Sequence, residues 1–441
     1  MEPMDRYAWK QLAAITALGI AIRIAAAIYW HVHWSGRFFY GDSQGYWDLA
    51  QAIAHGRPYM LPGGEQIFRT PGYPLLLAPL AALGNGPACV FLAHVESCII
   101  GALAVPLAYV WTRRLFNGRA GLWAACVAAV YPEAIATNVA VLSDTPLAEL
   151  VALHLIIVTQ AFARYHMPNA RENITRSVMS TGGRHAERAC YFALAGVVAG
   201  LATLVHPSFL LFVPFAMAVG IAIAPSKSRL QHIAFGSITL AALCLIMLPW
   251  WIRNAYVAGR FVPTTLQVGP SLYDGLRPDA TGGSDMRFVA EFRRQTGIAP
   301  GATVNIVQEQ QLDGAMRHAA LAWAYDHPGR TLQLAGIKLL RMWNIWPNEA
   351  SFSAWPVRLA VVCSYGPIIV LALYGAWQTR RRGWVYWLCW LPAVYFSLLH
   401  VVFVSSLRYR QPAMLGLIVL AAGALECLSP KLDLPIGSNT P

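Results

Sequence analysis

The stretch 38–74 contains two residues of this chain that could take part in a reaction, one with a carboxylate and one with a guanidinium group. That stretch contains FFYGDSQGYWDLAQAIAHG and then FRTPGYP, and it forms a polar, aromatic loop between two strongly apolar segments. Asp42 lies at its front edge, and Arg69 precedes a Pro-Gly-Tyr-Pro turn that includes Tyr73. A carboxylate can take up a proton from a nucleophile, and a guanidinium group binds phosphate oxygens. The two residue types therefore suit proton removal and phosphate binding, and Tyr73 is a further candidate for substrate binding.

Asp42 also has a purely structural interpretation. Residues 43–55 carry apolar side chains at helical spacing, and Gly56 and Pro58 then provide a stop. We expect an amphipathic helix that lies flat on a membrane surface, and Asp is favoured as the N-cap of a helix. Asp42 could be the cap, the base or both.

A second carboxylate, Asp144, lies in the motif Leu-Ser-Asp-Thr-Pro at the predicted start of an apolar segment. Asp followed by Pro in the first turn is a common helix start, so an N-cap is the plain interpretation. Asp144 is nevertheless a candidate catalytic residue. Glu133 could lie near it, with less support.

Further cations are predicted to face outward: Arg253, Lys338, Arg341, Arg408 and Arg410. Long cationic side chains near a membrane often reach toward lipid headgroups, and we expect this of at least half of them. We favour Arg408 and Arg410, in a tight Arg-Tyr-Arg turn, as ligands of a donor phosphate. Arg253 and Arg341 are further candidates for substrate binding.

Composition places the chain among membrane proteins. Of its 441 residues, 57% are hydrophobic and only 12% are charged, whereas soluble domains carry about 25% charged residues. The repeated apolar runs therefore predict an all-α polytopic membrane protein. The net charge of +12 fits basic cytoplasmic loops and contact with lipid phosphates, and no basic stretch has the pattern of a nucleic-acid site. The 8 cysteines form no Cys-x-x-Cys pair, so we predict no zinc site.

The apolar runs predict about ten transmembrane helices, with both termini in the cytoplasm. The predicted spans are 9–30, 88–111, 120–139, 141–163, 189–206, 207–224, 231–251, 357–377, 384–404 and 413–428. Basic clusters fall in the loops 113–119, 164–188, 227–229 and 380–382, which all come out on the cytoplasmic side.

We predict three parts along the chain. Residues 1–251 form a transmembrane catalytic core that includes the first outer loop, 31–74. Residues 252–347 form an outer, periplasmic segment with helical patterns near 286–296 and 303–326 and an interfacial helix at its end. Residues 348–441 supply the C-terminal transmembrane helices.

In its layout the chain resembles the GT-C superfamily of integral-membrane glycosyltransferases. The features that carry the resemblance are a short N-terminal span, a first outer loop beginning with Asp42, a juxtamembrane helix and an R-x-P-G-Y-P return to the bilayer. More narrowly, the chain is similar to the bacterial relatives of protein O-mannosyltransferases and of the aminoarabinose transferase that modifies lipid A.

The resemblance implies an inverting glycosyltransferase of the cell inner membrane with its site on the outer side. The implied donor is a sugar on a polyprenyl phosphate, and the acceptor is a glycan, a lipid or a protein. Asp42 would be the base, and Asp144 matches the place of an acidic residue in the site. One base is enough because the phosphate is already a good leaving group, whereas glycosidases use two carboxylates.

The chain departs from the aminoarabinose transferase pattern at Arg69. That pattern has an acidic residue and Lys-Pro-Pro where this chain has Phe68, Arg69, Thr70 and Pro71. Arg69 matches the basic position, but the acid that would bind a metal is missing. A divalent metal is therefore left open as a cofactor, and the absence of GxxxxGK and GxGxxG motifs argues against a nucleotide.

Two other functions remain open. A multi-pass transporter or flippase for a lipid-linked or anionic substrate would also be apolar and basic, although transporters tend to show paired repeats and interrupted helices. No such repeat is visible here. A ligase that moves a whole lipid-linked glycan is the second alternative.

Overall fold

The computed structural model describes residues 6–166, 181–347 and 354–428. No strand occurs in these three ranges, so the predicted all-α class is confirmed. The α-helices, in chain order, are α1 (Arg6–His33), α2 (Gly41–Ala54), α3 (Gly72–Ala81), α4 (Pro87–Ala102), α5 (Ala104–Leu115), α6 (Gly118–Val130), α7 (Pro132–Val139), α8 (Asp144–His166), α9 (Thr181–Val205), α10 (Phe212–Ile223), α11 (Ser226–Ala258), α12 (Val268–Gly275), α13 (Val289–Gln295), α14 (Ile306–Asp326), α15 (Pro328–Trp343), α16 (Trp355–Thr379), α17 (Trp384–Val402) and α18 (Gln411–Leu428).

Every one of the ten predicted spans is helical, but not all are long enough to cross a bilayer. In the described ranges, 8 helices have the length and apolar composition of a membrane span, and 9 if α6 and α7 form one bent span. The tenth segment, Pro207–Ile223, is apolar but shorter. At about 1.5 Å per residue it falls short of the roughly 30 Å of hydrocarbon that a span must cross. The protein is a multi-pass membrane protein, and its described residues include eight or nine helices long and apolar enough to span the bilayer.

Two of the basic clusters that were predicted to be cytoplasmic, 113–119 and 380–382, lie at the same end of the bundle. Arg119 lies 3.8 Å from Glu426 near the end of α18, and Tyr386 near the start of α17 donates to the carbonyl of Leu115. The opposite end of α18 begins beside Arg408 and Arg410. Most of the predicted loop 164–188 lies outside the described residues.

The span formed by α6 and α7 is bent by 48°, and Arg23 of α1 donates hydrogen bonds to the carbonyl groups at the bend. Pro132 has no N–H to bond the carbonyl of Ala128 four residues earlier. The fully buried Arg23 guanidinium donates instead to Ala128 O at 3.0 Å and Ala129 O at 2.9 Å, and also to Asn138 Oδ1 at 2.8 Å. The guanidinium of Arg23 therefore supplies the hydrogen-bond donor that is missing because proline has no backbone N–H.

Residues 259–343 belong to the segment 252–347 that was predicted to be outer, and they are attached to the loop 38–74 by hydrogen bonds. Glu309 of α14 accepts from the backbone N–H of Gln66 at 2.7 Å and of Ile67 at 3.1 Å. The N–H of Leu266 donates to Ile67 O at 2.9 Å. The predicted helices near 286–296 and 303–326 are present as α13 and α14. The outer segment thus fixes the loop just before Arg69.

Helix α2 differs from its prediction in what it packs against. Its apolar face is buried inside the protein, with Tyr46 and Trp47 almost fully enclosed. Trp47 donates from its indole N–H to Asn85 at 2.6 Å, and Gln51 donates to the carbonyls of Ala81 and Gly84. The pattern of apolar positions was right, but the helix rests on α3 and the bundle and not flat on lipid.

A buried ion pair joins α7 to the turn before α18. Arg410 is fully buried and bonds Glu133 through two N–H groups, at 2.5 and 3.1 Å. It also donates to Met342 O and Asn344 O and lies 3.6 Å from the ring centre of Tyr365. The N–H groups of Arg410 therefore bond oxygens of the protein itself, which is a structural role.

We expect cysteine labelling to report the topology. A membrane-impermeant maleimide added from outside should label Asp326→Cys, which is exposed between α14 and α15, but not Ser226→Cys or Arg381→Cys, which are exposed between other helices. The background should lack the naturally exposed cysteines, Cys126, Cys190, Cys363 and Cys427. Labelling of Ser226→Cys in sealed cells would contradict the orientation.

Removing Arg410 should damage the fold because it leaves Glu133 buried without its partner. Breaking a buried pair costs about 3–5 kcal/mol, so Arg410→Met should lower the unfolding temperature in detergent strongly. The double variant Glu133→Gln with Arg410→Met should recover much of that loss. If Arg410→Met unfolds normally but loses affinity for undecaprenyl phosphate, Arg410 binds the donor and is not a structural residue.

Candidate active site

Asp42 lies in the first turn of α2, at the end of the bundle away from the basic cluster. The helix begins at Gly41, and Tyr40 is the N-cap residue, without a side-chain cap. The predicted N-cap role of Asp42 is therefore wrong, because the helix starts two residues earlier than the predicted residue 43. The Oγ of Ser43 anchors this turn by donating to Ala140 O at 2.7 Å, and the hydroxyl of Tyr46 bonds that of Ser143 at 2.7 Å.

Two arginines hold the Asp42 carboxylate, one on each oxygen. Arg69 Nη2 lies 2.5 Å from Oδ1, and Arg408 Nη2 lies 3.1 Å from Oδ2. Burial alone would raise the pKa of Asp42, but the two guanidinium groups outweigh it and hold the pKa well below its usual range. Asp42 keeps 33% of its side chain exposed, so the paired carboxylate still faces open space.

Aromatic rings fix the two guanidinium groups from behind. Arg69 lies 5.0 Å from the ring centre of Tyr46. Arg408 donates to the hydroxyl of Tyr409 at 3.0 Å, and Tyr409 stacks on His400 with 4.3 Å between the ring centres. Each arginine is therefore oriented before any ligand arrives, which lowers the entropy cost of binding.

Two cavities meet at Asp42 and Arg408. The first, which we call the polar cavity, has a volume of about 600 Å³, and its lining includes Tyr40, Asp42, Thr137, Thr281, Ser284, Arg341, Ser405, Ser406, Arg408, Tyr409 and Gln411. The second, which we call the apolar cavity, has a volume of about 300 Å³, and its lining includes Asp42, Arg69, Asp144, His206, Leu210, Leu211, Leu399, Phe403, Arg408 and Tyr409.

Asp144 is the first residue of α8 and is 4% exposed. It lines the apolar cavity together with Asp42. The loop that leads into it contains Val141, whose φ of 55° is rare for a β-branched residue. Strained backbone of this kind persists where the surroundings enforce it, and here it precedes the residues that face the cavity.

Three predicted binding residues lie elsewhere. Arg410 is committed to Glu133, as described above. Arg253 donates to the carbonyls of Gln66 and Tyr59 and so holds the first outer loop. Tyr73 is fully buried and packs edge-on against Tyr46 at 5.1 Å. Arg341 does reach the site, on the wall of the polar cavity.

Sequence reasoning missed Tyr409, His206 and the hydroxyl residues of the polar cavity. His206 stands before Pro207 and accepts a hydrogen bond from Ser208, a capping pattern that the His-Pro-Ser sequence could have indicated. Burial, followed by the charges of Arg408 and Arg69, lowers the pKa of His206 to about 4. A neutral imidazole therefore faces the apolar cavity at pH 7.

No metal-binding group is evident in the three described ranges. They contain no group of three or more His, Cys, Asp and Glu side chains placed to hold an ion, and both oxygens of Asp42 already pair with arginine. The described residues therefore do not offer a divalent metal three ligands of these types in one place.

Comparison with solved structures finds this fold in an archaeal oligosaccharyltransferase. The structure of AglB from Archaeoglobus fulgidus with an inhibitory peptide and a dolichol-phosphate matches with a TM-score of 0.59 at 15% identity, over 96% of this chain and 50% of that one. The apo form of the Archaeoglobus fulgidus oligosaccharyltransferase gives 0.58 at 15% identity, over 97% and 51%. The chain therefore spans about half the length of these enzymes.

A lower-scoring likeness is to ArnT from Cupriavidus metallidurans bound to undecaprenyl phosphate, with a TM-score of 0.42 at 14% identity, over 91% of this chain and 77% of that one. No family model and no curated protein sequence matches this chain. The chain therefore has the fold of the Archaeoglobus fulgidus oligosaccharyltransferase, a membrane enzyme.

Proposed function

We propose that this protein is an inverting glycosyltransferase that moves a sugar from a polyprenyl-phosphate donor to an acceptor, on the outer face of the inner membrane. One observation carries the proposal: Asp42 lies where two cavities meet, with Arg69 and Arg408 bound to its carboxylate. A base beside phosphate-binding cations is what transfer from a sugar phosphate requires. The solved AglB complex with dolichol-phosphate makes a lipid phosphate a reasonable ligand for the shared fold.

The donor fits the apolar cavity better than the polar one. Arg69 lines only the apolar cavity, and Arg408 lines both, so a phosphate placed there meets two guanidinium groups. The apolar wall includes Leu211, which is 60% exposed at the side of the bundle. A polyprenyl chain could leave the site past this edge and enter the lipid.

The reaction follows from the placement of these groups. The acceptor hydroxyl attacks the anomeric carbon from the polar cavity, on the face opposite the phosphate, and the configuration inverts. The new C–O bond forms as the bond from carbon to the phosphate oxygen breaks, and the electron pair leaves with the polyprenyl phosphate. Asp42 takes the proton of the acceptor hydroxyl. Arg69 and Arg408 stabilise the charge that develops on the leaving phosphate.

The same two arginines must serve both the base and the donor. Without donor, they pair with Asp42 and lower its pKa, which makes it a weak base. A donor phosphate competes for their N–H groups, weakens the pairing, and lets the pKa of Asp42 rise toward its usual range. Donor binding would thus make Asp42 a stronger base. In the empty site, a water molecule would meet an Asp42 carboxylate that is too weak a base to activate it.

Asp42→Asn tests the base. The amide oxygen can still accept a hydrogen bond from one of the two arginines, but the amide cannot take a proton, so transfer should fall by roughly 10²–10⁴-fold while the protein still folds and binds undecaprenyl phosphate. Asp48→Asn, on the same helix and bonded to Gln44, is the matched control and should keep full activity. Near-normal turnover of Asp42→Asn would exclude Asp42 as the base and direct attention to Asp144.

Arg69→Gln and Arg408→Gln test the phosphate site. Each should weaken binding of undecaprenyl phosphate in nanodiscs by about 1.5–3 kcal/mol, the usual worth of a hydrogen bond to a charged group. Arg294→Gln, a surface arginine paired with Glu291, should have no effect. Unchanged binding in both site variants would leave these arginines as supports for Asp42 alone.

The activity itself is tested by lipid analysis of cells that lack the protein. A glycosyltransferase should leave one polyprenyl-phosphate sugar accumulated and its product absent, and the Asp42→Asn variant should reproduce that pattern. Supplying purified protein with monosaccharide and oligosaccharide lipids separates sugar transfer from the ligation of a whole glycan. A transporter would leave every donor lipid chemically unchanged.

A further inference from the structure

Arg341 is a cation on the wall of the polar cavity. It projects from α15 and makes no ion pair with the residues that the structure describes, and its buried Nε atom has no hydrogen-bond partner there. Lys338, one turn earlier on the same helix, is satisfied by the carbonyls of Val401 and Val402 at 3.2 and 2.8 Å. The difference singles out Arg341 as the cation that awaits a ligand.

The chain makes room for this guanidinium with two glycines. Gly282 has a φ of +86°, which side chains rarely adopt. A Cβ atom at Gly283 would stand 2.7 Å from Arg341 Nη2, and one at Gly282 would stand 3.2 Å from its Cδ. The Thr281–Ser284 turn therefore lets Arg341 lie against the backbone at the edge of the cavity, where a headgroup anchor would instead extend outward.

Hydroxyl groups surround the space between Arg341 and Asp42. Thr137, Thr281, Ser284, Ser405 and Ser406 line the polar cavity, and the Oγ of Ser405 is buried without a partner in the part of the chain described. Hydroxyls of this number suit a ligand that itself carries many hydroxyls, which is the chemistry of a saccharide. Thr137 already donates to Glu133 O, and Ser284 already donates to Asp274 Oδ2, but a purely apolar acceptor would leave the Oγ of Ser405 unpaired.

From these three observations we infer that the acceptor is an anionic saccharide, with its acidic group bound by Arg341 and its reacting hydroxyl directed at Asp42. The inference rests on the proposed function for the role of Asp42, and it adds the substrate class. The acidic group is a phosphate or a carboxylate remote from the reacting hydroxyl, and it takes no part in the transfer. Arg341 is thus a specificity residue of the acceptor side, whereas Arg69 and Arg408 belong to the donor side.

The test compares a charged sugar with its neutral parent. Full-length protein in nanodiscs that contain undecaprenyl phosphate is titrated with glucose 6-phosphate, glucuronate and glucose, and binding is followed by tryptophan fluorescence. The two anionic sugars should bind roughly 10-fold or more tightly than glucose, which corresponds to one charge-assisted contact. Arg341→Gln should remove this preference, and Arg341→Lys should keep part of it.

Arg330→Gln is the matched control, since Arg330 lies on the same helix and bonds Gln333 and the carbonyl of Ala280. It should bind all three sugars as the natural protein does. A preference for anionic sugars that survives Arg341→Gln, or no preference at all, overturns the inference. So does a loss of undecaprenyl phosphate binding in Arg341→Gln with sugar binding intact, because Arg341 would then belong to the donor.

Failure of the proposed function gives a different result. Binding of undecaprenyl phosphate could prove independent of Arg69 and Arg408 while binding of glucose 6-phosphate still requires Arg341. In that case the acceptor inference stands and the donor assignment fails. Arg341→Gln at saturating donor should raise KM for an anionic acceptor about 10-fold or more and change kcat little. A purely structural role would lower kcat and stability together.

Discussion

The ion triad of Asp42, Arg69 and Arg408 connects parts of the chain that are far apart in sequence. Arg69 is 27 residues from Asp42, and Arg408 is 366 residues from it. The triad joins the start of α2, the return of the first outer loop and the turn before α18. Each neighbouring contact, from the Glu309 clamp on the loop to the stacking of Tyr409 on His400, serves to bring one of these three charges into position.

Local sequence patterns were enough to find the charges but not their partners. Apolar runs and flanking cations placed the helices, and the types of Asp42, Arg69 and Asp144 marked the site. Arg408 and Arg410 are two residues apart and looked equivalent, yet one faces the cavities and the other is enclosed with Glu133. Which of the two arginines is buried depends on Glu133 of α7, which lies 277 residues from Arg410. No local sequence pattern predicts this pairing.

The lipid-facing assignment of α2 failed for a related reason. A helix with one apolar face needs an apolar partner, but the pattern does not say whether lipid or protein supplies it. Here α3 and the bundle cover Tyr46 and Trp47, and this contact holds the helix that carries Asp42 on a rigid support. The N-cap assignment was wrong by two residues, which is the ordinary uncertainty of a helix end. Since Asp42 is not the cap, its carboxylate is free to pair with arginine.

The repair of the α6–α7 break by Arg23 has a consequence for how the protein is made. The first span emerges from the ribosome with its arginine before any partner exists, because Ala129 and Asn138 follow 106 and 115 residues later. An arginine at the centre of a lone helix costs about 2.5–3.5 kcal/mol in membrane insertion. The first span therefore inserts into the membrane less favourably than a fully apolar helix. Its insertion is stabilised only after α6 and α7 are synthesised and accept hydrogen bonds from Arg23.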